Sequence, residues 1–374
     1  MKRQSLLLIF CSSILFSAYA YSQTKDDSNV FAIVESKKVG FINKKGSAVI
    51  SEKYNDCRPF KEGLAGAYYE GLWGFIDVDG NFAIKPKFDY VNDFKEGFAS
   101  VEYEGKWGFI DKTGNFVIEP KFDDARYFED GIARVKLDRK WGFIDTKGNY
   151  IVEPKFNSAD DFNDGVSRVK VGRKYGFIGT NGKYIVEPKY TSAGQFSDGL
   201  ARVKIRKKSW GFIDKRGKMV ISARFYSAYD FDDGLARVKS GGRYGFIDKT
   251  GSFVIKPQFG EIHDFTEDLA MARGGGRWGF IDRKGHFAIE PAYTWVWGFS
   301  EGLAAVLVNG KWGFIDKTGN YVIPPKFDAI NDFSNGLAAV EEKGKWGFIN
   351  KKGEYVVKPK FRRVSSFKDC LGDD

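Results

Sequence analysis

The chain contains few residues whose types and spacing could perform catalytic or metal chemistry. Its two histidines, His263 and His286, have no cysteine or carboxylate at metal-ligand spacing that departs from a pattern recurring along the chain. Gly274-Gly275-Gly276 reads as a hairpin loop, and Asp77-Val78-Asp79-Gly80 as one copy of a recurring turn rather than a calcium loop. The acidic residues also recur in register, which favours turn and capping roles over acid–base pairs. We therefore expect no enzymatic activity, metal or cofactor, and a carbohydrate-active enzyme is the least favoured alternative.

Four arginine–lysine pairs are the first candidates for binding. Each pair alternates with apolar residues on one strand, so both side chains share a strand face. The pairs are Arg134/Lys136, Arg168/Lys170, Arg202/Lys204 and Arg237/Lys239. Before them the equivalent positions hold Ser100/Glu102, and after them Ala305/Leu307. Neighbouring like charges repel each other, so this basic stripe predicts an anionic partner; an ordinary solvated surface is the alternative.

Two tryptophans on one connection, Trp295 and Trp297, are the second candidates. Other copies have a small or acidic connection there, and Phe299 already supplies the recurring core residue. We therefore predict that the two indoles stack on a sugar ring or a partner peptide. A local hydrophobic patch that covers its own loop is the alternative.

Cysteine use leaves one pairing open. Cys11 lies in the apolar N-terminal segment, which leaves Cys57 and Cys370 near the two ends of the mature chain. A disulfide needs Cα atoms within about 7 Å. These two residues could meet only if the array closes into a ring, so a Cys57–Cys370 bond is a hypothesis tied to closure.

The candidates are placed by a repeat whose marker is an aromatic residue followed by Gly-Phe-Ile. Ten copies follow at steps of 34 residues, with one step of 35. The markers begin at Val39, which stands in for the aromatic residue, and at Trp73, Trp107, Trp141, Tyr175, Trp210, Tyr244, Trp278, Trp312 and Trp346. Gly, Pro and β-branched residues in each copy favour strands over helical hairpins of the same period.

Each repeat predicts three antiparallel strands. In the third copy the marker strand is followed by the turn Asp111-Lys112-Thr113-Gly114. A second strand, Phe116-Val117-Ile118, should stop at Pro120. After a connection of about nine residues, the third strand, Ile132–Leu137, leads through a two-residue hairpin to the next marker.

The pattern WGFID-K-x-G-N-[FY]-V-I-x-P-K-F resembles the WG-containing repeat of bacterial envelope and secreted proteins. The resemblance covers about residues 31–370 and implies a β-rich, commonly exported scaffold without general enzymatic activity. Residues that recur in every copy, including the marker and one phenylalanine per connection, are interpreted as the core between modules.

The fold prediction is all-β, with residues 30–370 forming one continuous array of ten repeats. An open β-superhelix or solenoid is favoured, because 34 residues is short for a propeller blade of about 40–45. A closed propeller-like ring is the alternative. It is suggested by Val30–Val34, a strand of the third type that the C-terminus lacks.

The N-terminus predicts export. Residues 1–20 form a signal peptide with cleavage near Ala20, followed by a disordered linker at 21–29, and residues 371–374 form a tail. Removing Lys2 and Arg3 lowers the formal net charge from +10 to +8. We expect a monomeric periplasmic, surface-associated or secreted scaffold with no transmembrane segment, which binds an envelope protein or anionic polysaccharide rather than nucleic acid. A purely structural role in the envelope is the alternative.

Overall fold

A computed structural model describes residues 30–206, 209–365 and 368–369, and throughout these ranges the regular structure is β-strand. The predicted signal peptide, the linker, Cys370 and the C-terminal tail lie outside the described residues. The strands form ten antiparallel sheets. These sheets are the blades of a ten-bladed β-propeller, in which radial repetition leaves only short strand edges.

Blade one combines both ends of the chain, and the other blades follow in order. Blade one contains β1 (Val30–Glu35), β2 (Val39–Asn43) and β3 (Ala48–Tyr54) with β40 (Arg363–Val364) and β41 (Lys368–Asp369). Blades two to four are β4 (Asp56–Cys57), β5 (Ala65–Tyr69), β6 (Leu72–Ile76), β7 (Phe82–Phe88); β8 (Tyr90–Val91), β9 (Phe98–Tyr103), β10 (Lys106–Asp111), β11 (Phe116–Phe122); and β12 (Asp124–Glu129), β13 (Ile132–Leu137), β14 (Lys140–Asp145), β15 (Tyr150–Phe156). Blades five to seven are β16 (Ser158–Ala159), β17 (Val166–Val171), β18 (Lys174–Gly179), β19 (Tyr184–Tyr190); β20 (Ser192–Ser197), β21 (Leu200–Arg206), β22 (Ser209–Asp214), β23 (Met219–Phe225); and β24 (Ser227–Asp232), β25 (Leu235–Ser240), β26 (Arg243–Ile247), β27 (Phe253–Phe259). Blades eight to ten are β28 (Ile262–Thr266), β29 (Leu269–Gly274), β30 (Arg277–Ile281), β31 (Phe287–Tyr293); β32 (Trp295–Ser300), β33 (Leu303–Val308), β34 (Lys311–Ile315), β35 (Tyr321–Phe327); and β36 (Ala329–Ile330), β37 (Leu337–Glu342), β38 (Lys345–Asn350), β39 (Tyr355–Phe361).

Each blade from two to ten has four strands, which we label a to d in chain order. Strand a lies nearest the ring axis, since it is the strand whose backbone approaches the preceding blade, as β12 approaches β9. The marker begins strand c, so a blade takes strands a and b from the end of one repeat and strands c and d from the start of the next. The prediction of three strands per repeat is wrong by one. The connection before Ile132 contains strand a, in which Glu129 pairs with Ile132 across a hairpin.

The marker glycine is required by a bulge in strand d. In blade three Trp107 pairs with Phe122 and Phe109 with Ile118, so strand d has two more residues than strand c between these pairs. A Cβ on Gly108 would lie 2.6 Å from the Ile118 carbonyl oxygen and 2.8 Å from the Pro120 nitrogen. Pro120 therefore lies inside strand d rather than at its end, where it was predicted. The outer edge of the blade tolerates a residue without a backbone N–H.

The N-terminal strand closes the ring. Val34 of β1 pairs with Val364 of β40, and Glu35 pairs with Arg363. The Arg363 Nε also lies 2.8 Å from Glu35 Oε2. The favoured open solenoid is therefore wrong, and the closed-ring alternative is confirmed. Four strands fit into a short repeat because two-residue hairpins join strands a to b and b to c, and only the second of these hairpins was predicted.

The core lies at the seams between neighbouring blades, as was predicted for the recurring residues. At the seam between blades three and four, Phe109 and Phe122 pack against Ala125, Phe128 and Val135. The equivalents of Phe128 are buried in most blades: Phe60, Phe94, Phe162, Phe196, Phe231, Phe299 and Phe333. Phe265 is half-buried, and Phe367 lies outside the described residues. The seam between blades ten and one has the same kind of core, so closure adds a seam like the others.

Candidate binding surface

The marker aromatics of successive blades follow one another in a circle at one end of the propeller. We call this end the hairpin face, because the hairpins between strands b and c lie there. Glu104 and Gly105, in one of these hairpins, have φ of 52° and 75°. Two positive φ values are those of a type I′ turn, which confirms the predicted hairpin. Trp73 and Trp278 are buried, whereas the other marker aromatics are half-buried. The marker therefore belongs to the frame but leaves aromatic edges accessible on this face.

The four predicted binding arginines lie in the seams, where each connects two blades. Each forms an ion pair through Nε: Arg134–Asp161 (3.1 Å), Arg168–Asp160 (2.7 Å), Arg202–Asp230 (2.9 Å) and Arg237–Asp264 (3.2 Å). Each also donates from Nη1 to a strand a carbonyl of the next blade, on Ala159, Ala193, Ala228 and Ile262 respectively. We call the four seams from blade four to blade eight, which contain these side chains, the arginine arc.

Burial sets the electrostatics of the arginine arc. It raises the pKa of Asp161, Asp230 and Asp264, and the facing guanidinium opposes that shift. The Arg237 side chain is 11% exposed, so it is committed to its seam. The arginines thus do not form the solvent-facing basic stripe that the sequence predicted.

The lysines of the predicted pairs remain at the hairpin face. Their ammonium groups lie above the marker ring of their own blade, at centroid distances of 5.7 Å for Lys136, 5.0 Å for Lys170, 5.4 Å for Lys204 and 4.7 Å for Lys239. Such cation–π contacts contribute about 0.5–1 kcal/mol at exposed sites. Only the lysine half of the predicted basic stripe therefore lies at the hairpin face.

Seams in which strand b has no arginine are packed by other side chains. Between blades two and three, Arg58, which directly follows strand a of blade two, pairs with Asp93 at 3.3 Å, and a Cβ on Gly66 would lie 3.1 Å from its Cδ. The two seams from blade eight to blade ten have Met271 and Ala305 at the arginine position. We call these two seams the tryptophan arc, because Trp295 and Trp297 lie in them.

The two predicted binding tryptophans have different environments. Trp297 is half-buried against the core of the seam between blades nine and ten, beside Ala305, with its ring centroid 5.4 Å from that of Trp312. It packs from strand a against a seam core that contains Ala305, so the expectation that the core could not explain it is wrong. Trp295 is 45% exposed. Its indole meets Trp278 at 5.3 Å with an interplanar angle of 66°.

Trp295 lines a cleft of about 300 Å³ near the seam between blades eight and nine. Tyr244 and Trp278 contribute the other aromatic rings, and Glu261, His263 and Arg273 contribute polar groups. The Arg273 Nη1 lies 2.9 Å from Glu261 Oε2. Burial, and then the nearby Arg237, lower the pKa of His263, so this imidazole is neutral at neutral pH. The cleft thus combines an exposed aromatic face with a fixed pair of hydrogen-bonding groups.

The sequence prediction missed Glu261, His263 and Arg273 as neighbours of Trp295. A signal was available, because Glu261 and Trp295 occupy the same position in successive repeats. Trp295 is the first residue of β32, and Glu261 immediately precedes β28. The connection that contains strand a was predicted to be a loop, and loop residues have no fixed strand face, so the sequence did not place Glu261 and His263 beside Trp295.

The remaining candidate residues have structural roles or stay untested. Cys57 is a free thiol, 8% exposed, whose pKa is raised by burial. The hypothesised Cys57–Cys370 disulfide is thus not formed at Cys57 in this structure, and Cys370 lies outside the described residues.

Asp77 accepts backbone hydrogen bonds from Asp79 and Asn81, as expected of a turn residue. The described part of the chain contains no group of three or more His, Cys, Asp or Glu residues placed to hold a metal. It also contains no helix long and apolar enough to cross a membrane.

Comparison with known proteins identifies the repeat. The profile of the family described as "WG containing repeat" matches residues 40–73, 73–107, 107–141, 141–175, 175–208, 210–244, 244–278, 278–312, 312–346 and 346–369. No curated protein sequence matches the chain. A structure titled "Crystal structure of the eukaryotic initiation factor" aligns with a TM-score of 0.52 at 9% identity, over 92% of this chain and 98% of that one. BamB from Moraxella catarrhalis aligns at 12% identity over 86% and 91%, with a TM-score of 0.35. The first of these likenesses concerns the fold alone.

Proposed function

Because the chain belongs to the family of WG-containing repeat proteins, we propose that it is an exported, non-enzymatic scaffold. It binds a partner of the cell envelope, a protein or an anionic glycan, through its hairpin face. The observation that carries this proposal is Trp295, an exposed indole on a cleft where the repeat pattern is broken. Exposed aromatic residues held in place beside polar groups are typical centres of binding energy.

The closed ring supports a scaffold role. Each seam is packed, and β1 joins the two ends of the array, so groups on the hairpin face keep fixed spacings. Lys136, Lys170, Lys204 and Lys239 repeat on successive blades of this face. Similar groups at fixed spacing on one frame allow several weak contacts to act together on a long or repetitive partner.

The roles of the acidic residues support a non-enzymatic protein. Asp161, Asp230 and Asp264 are each paired with an arginine in a seam. Hydrogen bonds donated by the Thr113 hydroxyl and by backbone N–H groups lower the pKa of the turn residue Asp111. These environments serve packing and turns rather than proton transfer. The predicted signal peptide supports export.

Capture from an envelope extract tests the proposal. The mature protein is immobilised beside Trp295→Ala, a Lys136/Lys170/Lys204/Lys239→Glu variant, and Tyr321→Ala as a matched control. Tyr321 is 47% exposed and lies on outer strand β35 of blade nine. We expect the native protein and the control to retain the same envelope component, and Trp295→Ala to lose most of it. Raising salt from about 0.15 to about 0.5 M should weaken a lysine contribution.

Two results would overturn the proposal: no envelope component is captured, or capture is the same for the native protein, Trp295→Ala and the four-lysine variant. The arginines are unsuitable for this test because reversing them would break seams.

A purely structural envelope role is the second candidate. It is favoured by exposed β-branched residues on the outer strands, where Val117, Val254 and Val322 are 42%, 44% and 39% exposed. Such a rim could pack against a neighbouring protein. Loss of envelope association in Val254→Lys, but not in Trp295→Ala, would favour this role.

A further inference from the structure

The cleft near Trp295 lies where the arginine arc ends. At the seam between blades eight and nine, Met271 replaces the arginine and Gly298 replaces its aspartate partner. No guanidinium therefore bridges this seam from strand b, and the first residue of β32 is the exposed Trp295. This seam differs from its neighbours in both packing and chemistry.

The exposed indole packs against a buried neighbour. Trp278 is 3% exposed and contacts Trp295 edge-on, and the His263 ring lies 5.5 Å from Trp278 on a centroid basis. The first residue of a paired strand has little freedom to turn inward, and Trp295 pairs with Leu307 of β33. The result is a fixed aromatic platform rather than a mobile side chain, and ordering it on binding costs little entropy.

The polar groups of the cleft are also fixed. Arg273 pairs with Glu261 through its side chain, and its backbone N–H donates to the Glu261 carbonyl oxygen at 3.0 Å. The Arg273 Nε donates to the Gly276 carbonyl oxygen at 3.3 Å. The Glu261 and Arg273 side chains remain 52% and 44% exposed, so each still has capacity for a ligand. A carboxylate beside a guanidinium offers an acceptor and a donor to neighbouring hydroxyl groups.

The charges of the cleft cancel. Arg273 faces Glu261, Arg237 faces Asp264, and His263 is neutral at neutral pH. Arg237, Arg273 and Glu261 are therefore each engaged with an opposite charge, and the nearby Lys239 ammonium lies over the Tyr244 ring, which favours a neutral ligand over a charged one. At about 300 Å³, the cleft is at the small end of ligand pockets, which suits a single ring rather than an extended segment.

We propose that this cleft binds one neutral pyranose unit of an envelope glycan. The apolar C–H face of the sugar stacks on Trp295, and adjacent hydroxyls bond to Glu261 and Arg273. This inference rests on the proposed function and names the ligand class of the same surface. A sugar ring matches the cleft because it has an apolar face and a polar edge. An aromatic peptide side chain would fill the platform but leave the polar pair unused.

Titration with neutral disaccharides tests the inference. The mature protein is titrated with maltose, cellobiose, lactose and di-N-acetylchitobiose, followed by tryptophan fluorescence and calorimetry, with digalacturonate as an anionic probe. We expect at least one neutral disaccharide to bind with a change in tryptophan emission. Trp295→Ala and Glu261→Gln should each weaken binding at least about tenfold. Tyr321→Ala should bind like the native protein, and thermal melts should show that all variants remain folded.

The outcomes separate this inference from the proposed function. If none of the four disaccharides binds, if only digalacturonate binds, or if both cleft variants bind normally, the sugar inference is wrong. If in addition Trp295→Ala loses the envelope component, the proposed function stands, and the partner at the cleft is an anionic glycan where digalacturonate binds and a protein where no sugar binds. If a disaccharide binds but no envelope component is captured, the cleft assignment stands and the envelope function fails.

Discussion

The arginine arc and the tryptophan arc share one backbone design but solve the same packing problem differently. In the arginine arc a strand b guanidinium crosses each seam and bonds to the inner strand of the next blade. In the tryptophan arc Met271 and Ala305 stand at the arginine position, and Trp297 of strand a packs against the core of the seam that contains Ala305. The arginines are held in ion pairs within their seams, whereas Trp295, at the seam between blades eight and nine, remains exposed. A repeated position therefore cannot be assigned to binding until its seam is known.

The largest expected effect is at the most buried arginine. Arg237→Ala would remove a side chain that is 11% exposed and leave the buried Ile262 carbonyl without its charged donor, so we expect the free energy of unfolding to fall by about 2–3 kcal/mol. The matched control is Arg273→Ala, which breaks an exposed ion pair and should change stability by less than about 0.5 kcal/mol. Urea unfolding measures both. Equal effects would show that the arginines of the arc do not stabilise their seams.

The next prediction separates the two tryptophans. Trp297→Ala should lower the free energy of unfolding by about 2 kcal/mol, because it opens a void beside Ala305 and Trp312. Trp295→Ala removes a half-exposed side chain and should cost less than about 1 kcal/mol. Thermal unfolding of the pair checks this order. A reversed order would mean that Trp295 is the structural residue and would remove the basis for the cleft proposal.

A smaller effect tests how tightly the arginine arc is packed. A Cβ on Gly194 would lie 2.3 Å from Asp230 Oδ1 and 2.7 Å from Arg202 Cγ. Gly194→Ala should therefore destabilise the protein by about 1–2 kcal/mol. Much of that loss should disappear in an Arg202→Ala background, where the pair no longer occupies the space. Gly260→Ala is the control, since nothing lies within 4 Å of its added Cβ. An additive double mutant would contradict this account.

The smallest effect concerns pH. Asp332 is the equivalent of Asp264 in the tryptophan arc, and burial raises its pKa to about 6. Because this value lies above that of the unfolded chain, the folded state binds the extra proton, and the associated stability is lost as pH rises from about 4 through 6. Relative to Asp332→Asn, the native protein should lose stability over that window, by less than about 1 kcal/mol because solvent reaches the carboxylate. A constant difference between pH 4 and 7, measured by urea unfolding, would contradict this.

The sequence was sufficient for features that depend on local geometry. Asp111 and Gly114 form the predicted turn, with Gly114 N–H donating to the Asp111 carbonyl at 3.0 Å. The b–c hairpins and the recurring core residues also follow from the sequence. Strand a was not predicted because it can be as short as Ser158–Ala159 and carries no alternating pattern. The direction of Arg134 was not predicted either, because its partner Asp161 lies on another blade.

By itself, the sequence determined the all-β class, the number of repeats and the turns between strands, because these depend on residues close together in the chain. Ring closure and the separation of Trp295 from Trp297 were decided only by the tertiary structure. Closure depends on the small rotation at each seam summing to a full circle, so that β1 meets β40 across the whole length of the chain. The exposure of a tryptophan depends on what the neighbouring blade places beside it. Neither the closure of the ring nor the exposure of Trp295 is encoded in any single repeat.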